Sequence, residues 1–188
     1  MRVIAGKARS ISLKTPQSLA TRPTADRVKE ALFSIIQFEL PGARVLDLFG
    51  GTGQLGIEAL SRDASAAVFV DEREDACRLI RENLKRTRLE QYGRVVRSDY
   101  LSFLNTTKEK FDIIILDPPY AEVFLENSLK MITEIDILQS GGIIVAERPA
   151  GKELLCSFPG FSRSKDYKYG NTLLTIYRKD RTCEEGTE

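Results

Sequence analysis

The stretch Ile113-Ile114-Ile115-Leu116-Asp117-Pro118-Pro119-Tyr120 runs from four apolar residues into a carboxylate, two prolines and a phenol. Consecutive prolines fix φ at both positions and remove two N–H donors, so this loop offers carbonyls and the Asp117 carboxylate, all of them acceptors. Such a set suits a planar group that donates hydrogens, as the exocyclic amine of a nucleobase does. Tyr120 adds a ring for the base to stack on, an interaction worth about 1–3 kcal/mol. A plain turn after a buried strand does not require this order of residues.

A second constellation lies earlier, at Val45-Leu46-Asp47-Leu48-Phe49-Gly50-Gly51-Thr52-Gly53-Gln54-Leu55-Gly56. It reads as a buried strand, a glycine-rich turn and a helix whose first N–H groups are free. Gly51, Gly53 and Gly56 satisfy the dinucleotide pattern GxGxxG, which leaves an NAD-dependent oxidoreductase open. Asp47, inside the strand ahead of the glycines, would repel a pyrophosphate and attract a ligand with a cationic amino-acid end, such as S-adenosylmethionine. Asp71 closes Val68-Phe69-Val70-Asp71, where a strand-tip carboxylate can accept from both hydroxyls of a ribose in either kind of site. Asp99 can accept from an adenine amine, or can simply cap a helix beginning at Tyr100.

These groups need a scaffold, and the chain patterning supplies one. Candidate strands at 45–49, 66–71, 95–97, 111–117 and 143–147 alternate with helices at 54–62, 73–87 and 124–134 and a shorter one at 100–104, the pattern of a parallel sheet wound with helices. Residues 161–169 and 172–178 flank Gly170-Asn171 and read as a terminal antiparallel hairpin. Ahead of the sheet, residues 2–5 and 10–13 read as a hairpin about Gly6-Lys7, followed by a helix from an N-cap at Thr24 to about Phe38. The expected organisation is a hairpin arm and link over 1–23, one α/β domain over 24–178 and a disordered tail over 179–188.

The 188 residues contain no histidine, which excludes Ser-His-Asp and Cys-His catalysis and His-ligated zinc. Cys77, Cys156 and Cys183 are too few and too scattered for a disulfide framework or a metal site, which fits a reducing cytoplasm. The longest purely apolar run, Ala66 to Val70, is far below a membrane span, and the early charges at Arg2 and Lys7 leave no room for a signal-peptide core. Net charge is only +1, yet residues 1–30 hold seven basic residues against two acidic ones, as do residues 78–97. Two basic segments in a nearly neutral chain fit contact with a polyanion, or else a solvated helix face and a flexible terminus.

The motifs together resemble the bacterial small-subunit ribosomal RNA guanine-N2 methyltransferase family. The resemblance rests on Met1-Arg2-Val3-Ile4-Ala5-Gly6, on Arg22-Pro23-Thr24-Ala25-Asp26-Arg27-Val28-Lys29-Glu30-Ala31-Leu32-Phe33, and on Asp47 to Gly56. It continues through Glu58-Ala59-Leu60-Ser61-Arg62, Asp117 to Tyr120 and Tyr169-Gly170. It implies a class I methyltransferase Rossmann-like fold with a mostly parallel seven-stranded sheet, an S-adenosylmethionine cofactor and no metal. It implies that Asp47, Gly51, Gly53, Asp71, Asp99 and Tyr100 line the cofactor site and that Asp117, Pro118, Pro119 and Tyr120 meet the target guanine. Arg2, Lys7, Arg9, Lys14, Arg22 and Arg27 are the expected contacts to ribosomal RNA or a small-subunit particle, with Arg22 and Arg27 nearer the active site, in a monomeric cytoplasmic enzyme. Gly50 and Gln54 depart from small alanine-like residues; Gly50 is expected to loosen the loop and Gln54 to alter a cofactor contact.

In the reaction this implies, Asp117 and the Pro118 carbonyl hold the two N–H groups of the amine, so that its lone pair is aimed at the methyl group. Asp117, a carboxylate with a reference pKa of about 3.9, then accepts or relays the surplus proton. An adenine-N6 methyltransferase acting on DNA or RNA would use the same loop and stays open at this point. A non-catalytic RNA-binding domain leaves the two intact motifs unexplained.

Overall fold

The computed structural model describes residues 1–16, 23–118, 121–151 and 158–180. Strands β1 (Arg44–Asp47), β2 (Ala66–Asp71), β3 (Gly93–Arg97), β4 (Phe111–Leu116) and β5 (Leu138–Pro149) are parallel. The strands β6 (Phe161–Tyr169) and β7 (Thr172–Lys179) form an antiparallel hairpin on β5 and complete a seven-stranded sheet of order β3-β2-β1-β4-β5-β7-β6. The chain reverses direction across the sheet between β1 and β4, which makes their carboxyl ends the switch point where such sheets receive ligands.

Helices cover both faces, which is why the central strands carry buried apolar side chains on both faces. Val45, Phe69, Ile113, Ile115, Ile143 and Val145 pack against α1 (Pro23–Ile35), α2 (Gln54–Ser61) and α3 (Glu74–Thr87). Leu46, Val68, Ile114, Leu116, Ile144 and Ala146 pack against α4 (Tyr100–Thr106) and α5 (Ala121–Glu134). The acids Glu74 and Asp75 open α3 and Lys85 and Arg86 close it, in the sense that complements the helix dipole. No helix among the described residues is long and apolar enough to cross a membrane.

Several boundaries differ from the sequence expectation. Helix α1 begins one residue before Thr24, at Pro23, whose fixed φ suits a first helical turn, and it ends at Ile35, leaving Phe38 outside and 87% exposed. Strand β5 begins at Leu138 rather than Ile143, because the Gly141-Gly142 pair is accommodated as an irregularity between the Phe111 and Ile113 pairings rather than as a turn. A short 3-10 turn at Glu90–Tyr92, unmarked by any periodicity, precedes β3.

The amino-terminal hairpin closes through an antiparallel bridge, Arg2 to Ser12, and is hydrogen-bonded to Glu58 and Ser61 of α2. Val3, Ala8 and Leu13 are buried in the same core cluster as α1, α2 and α3. Gly6 has φ +80° and sits so close to α2 that a Cβ there would fall 1.7 Å from the Ser61 carbonyl oxygen. Further on, Asn83 of α3 accepts from the Lys14 N–H at 2.7 Å and donates to the Thr52 carbonyl at 2.9 Å, tying the end of the arm to the glycine loop.

Candidate active site

Strand β1 ends in Asp47, and the chain then turns through the glycine loop into α2. Gly51 and Gly53 adopt φ of +55° and +77°, a left-handed conformation that glycine takes without a Cβ penalty. The loop is held by Gly50 N–H donating to the Val70 carbonyl at 2.8 Å and Gly53 N–H to the Gly50 carbonyl at 2.7 Å. At Gly50 a Cβ would meet Ile80 Cδ1 at 2.8 Å, so the isoleucine side chain occupies the space beside the glycine. Gly56 lets α2 lie against the sheet, since a Cβ would stand 2.2 Å from the Phe69 ring.

Asp47 is fully buried, and its Oδ2 accepts from the Gly56 N–H at 3.0 Å. Its Oδ1 has no donor among the described residues, and neither does the buried Oε1 of Gln54 at the start of α2. Burial pushes the Asp47 carboxyl up to about 7; the Gly56 bond opposes this, and the charges of Asp117 and Asp71 add to it. Two orphaned acceptors beside a helix start fit a ligand that brings N–H donors and positive charge, and do not fit a pyrophosphate. Asp71 at the tip of β2 accepts from Gly51 N–H at 2.9 Å through Oδ2 and from Arg73 N–H at 2.9 Å through Oδ1. It thereby ties the loop to the strand that would carry the ribose.

Asp117 follows β4 directly, and Asp47 pairs with Ile115 on that strand, so the two acids stand at neighbouring strand tips. Burial pushes Asp117 up to about 6, well above the reference value for a free carboxylate. Pro118 is buried. Pro119, Tyr120 and Arg22 lie outside the described residues. Asp99 caps α4, its Oδ1 accepting from Ser102 N–H at 2.9 Å, and that bond holds its carboxyl below the usual range. The helix-cap reading of Asp99 is therefore realised. Tyr100 packs its ring at 5.5 Å from both Phe49 and Phe124.

The structure thus brings Asp47, Gly51, Gly53 and Asp71 around one loop, with Asp117 and Pro118 on the adjacent strand tip. The arm cations stand apart on the outer surface. Lys7 pairs with Asp63 at 2.7 Å and Lys14 with Glu82 at 2.8 Å, while Arg2, Arg9 and Arg27 are exposed and have no carboxylate partner among the described residues.

With this geometry in view, comparison with known proteins decides the family. The family model described as Conserved hypothetical protein 95 matches residues 1–178. The chain belongs to the Conserved hypothetical protein 95 family. It is 40% identical over 182 residues to a Bacillus subtilis (strain 168) protein named "Putative rRNA methyltransferase YlbH", covering 95% of this chain and 99% of that one. It is 29% identical over 188 residues to the Escherichia coli (strain K12) "Ribosomal RNA small subunit methyltransferase D", covering 100% of this chain and 94% of that one. A solved Escherichia coli structure titled "Putative methyltransferase yhhF" superposes with a TM-score of 0.87 at 28% identity, over 97% of this chain and 99% of the other. The Conserved hypothetical protein 95 match takes in the arm as well as the sheet, and ends within β7.

Sequence reading missed three members of the site in this Conserved hypothetical protein 95 protein. Phe49 and Phe124, which pack against Tyr100, carry no local signal. Glu147 near the end of β5 carries one, because it is an acid at a strand end like Asp47 and Asp71. Burial first, and the charge of Asp117 second, push Glu147 up to about 8.

Proposed function

We propose that this chain is an S-adenosylmethionine-dependent methyltransferase of small-subunit ribosomal RNA and that its acceptor is the exocyclic N2 of a guanine. The observation that carries the reading is the adjacency of Asp47 and Asp117 across the switch point, one in the cofactor loop and the other in an acceptor-only loop. The cofactor, when bound, supplies a methyl group on a cationic sulfur. On the protein side, the free Oδ1 of Asp47 accepts from its ammonium end, Asp71 from its ribose hydroxyls and Asp99 from its adenine amine. Gly51 and Gly53 let the backbone approach it. Asp117 and the Pro118 carbonyl hold the two N–H groups of the target amine, and Tyr120 stacks on the base. Orientation of an otherwise poor nucleophile then supplies much of the rate.

The name of the Escherichia coli relative supports the small ribosomal subunit as substrate, and the resemblance of the whole motif set supports guanine N2. The basic residues of the arm supply contacts to phosphate, and the chain acts as a monomer. The test is mass mapping of ribosomal RNA from cells lacking this protein, followed by restoration with the purified chain and the cofactor. Loss and recovery of one methyl on a guanine N2 is the expected result. A change confined to an adenine N6 would replace the acceptor, and an unchanged small-subunit RNA would overturn the reading.

A further inference from the structure

Leu116 of β4 pairs with Ala146 of β5 in parallel register, so Asp117 and Glu147 are the next residues on two adjacent strands. The period of two along each strand places both on the face that carries Ile115 and Val145. On the other side of β5, β7 sets the fully buried Leu174 opposite Glu147, and β6 sets Tyr167 beyond it. On the same face, Asp71 at the tip of β2 lies at the level of Asp117, and Asp47 of β1 lies two residues earlier, at the level of Ile115. The charged group facing Glu147 from the flanking strands is therefore Asp117, with no cation between them among the strand partners.

Methylation of a neutral aromatic amine by a cationic donor leaves the nitrogen positive and with one proton too many. Asp117, in the acceptor role argued above, is the group positioned to receive that proton. Once protonated it must be emptied before the next turnover. We propose that Glu147 is the proton-relay partner of Asp117, drawing the proton from it at the tip of β5 and passing it to water. The N–H bond breaks with its electron pair left on nitrogen, and a carboxylate oxygen of Asp117 gains the proton. Glu147 takes the proton from Asp117 and loses it to solvent, so both carboxylates end as they began. Burial raises both carboxyls above the ordinary carboxylate range, and the charge of Asp117 raises Glu147 further, so the two titrate as neighbours; Glu147 is only part-buried and can release a proton to water. A relay group with a pKa near the working pH is also the efficient choice.

The proposal rests on the acceptor role of Asp117, and its test keeps the two apart. The full chain is assayed with small-subunit ribosomal RNA and S-adenosylmethionine, as parent, Glu147→Gln and Glu147→Asp. In the parent, kcat should rise with pH as Glu147 ionises through about 8. The glutamine variant should lose about 10²-fold in kcat and lose that rising limb, with KM for RNA and cofactor affinity near the parent's. The aspartate variant should recover part of both. Carboxyl NMR gives a readout independent of turnover: the titration midpoint of Glu147 should fall in Asp117→Asn, because the neighbouring charge is gone. A glutamine variant with parental kcat and profile, or a Glu147 midpoint indifferent to Asp117→Asn, overturns the relay alone. A parent that methylates no small-subunit RNA overturns the proposed function and the relay with it.

Discussion

Lys29 of α1 and Glu58 of α2 form an ion pair in the protein interior, with Nζ 3.8 Å from Oε2 and side-chain exposures of 1% and 0%. The pair is part of a larger clasp. Glu58 accepts from the N–H groups of Ile4 and Ala5 at 2.7 and 3.0 Å and from Arg62 Nε at 2.8 Å, while Lys29 donates to the Arg2 carbonyl at 2.6 Å. Burial lowers the pKa of Lys29, and the charge of Glu58 opposes that. One carboxylate thus satisfies two backbone donors of the arm and two cations of the domain.

Removing it should be costly. Glu58→Ala leaves Lys29 buried without its counter-charge and strands two N–H groups, a loss of about 3–5 kcal/mol. Urea unfolding of the two chains gives the difference, and faster amide exchange at Ile4 and Ala5 should accompany it. A variant within 1 kcal/mol of the parent, on the order of a surface substitution, would show that the clasp contributes little.

Asp47 should impose a pH-dependent penalty on the ligand-free fold. Its carboxyl is raised from an ordinary 3.8 to about 7, so between these values the unfolded chain ionises while the folded one keeps its proton. Stability is therefore lost as pH rises through this window, by on the order of 4 kcal/mol from this group. Asp47→Asn preserves an acceptor for the Gly56 N–H and removes the penalty. It should stabilise the ligand-free chain at pH 8 more than at pH 5, and weaken binding of S-adenosylmethionine. Unfolding at the two pH values with and without cofactor measures both effects; equal stability changes at pH 5 and pH 8 would count against the assignment.

Asp71 and Asp117 should separate binding from turnover. Asp71→Ala removes the ribose acceptor and also frees the Gly51 N–H that it holds at 2.9 Å, so cofactor affinity should drop tenfold or more, about 1.4 kcal/mol. Asp117→Ala should leave affinity within about threefold of the parent and abolish methyl transfer. Calorimetry with the cofactor alongside a methylation assay tests the division, which fails if both variants lose affinity alike.

The arm cations are expected to contribute unequally to RNA affinity. Arg2 and Arg9 are exposed and have no described carboxylate partner, whereas Lys7 and Lys14 are matched by Asp63 and Glu82. Each arginine that contacts a phosphate should add somewhat less than one unit to the slope of log affinity against log salt. Arg2→Gln with Arg9→Gln should flatten that slope more than Lys7→Gln with Lys14→Gln, and neither pair should alter cofactor binding. A parental slope in the double arginine variant would move the RNA contact elsewhere, with the basic residues 78–97 the next to test.

The sequence by itself determined the elements and most of the chemistry, because those depend on residues close together in the chain. A mostly apolar run followed by glycines, Asp47 inside its strand, and two prolines after Asp117 each declare a local backbone and a local set of donors or acceptors. The tertiary structure decided which tips became neighbours. Asp47 and Asp117 are far apart in the chain and meet only because β4 pairs with β1. Glu147 looks like an ordinary strand-end acid until β5 lies beside β4 and burial removes the water that would have screened it. The arm shows the same limit from the other side. Its cations read as a polyanion contact or a flexible terminus, but Val3, Ala8 and Leu13 match neither the strand nor the helix period, and only the fold presents them with a core to enter and Glu58 with the backbone donors it satisfies. Conformational preference acts between near neighbours, whereas desolvation and strand adjacency are set by segments that come together only on folding.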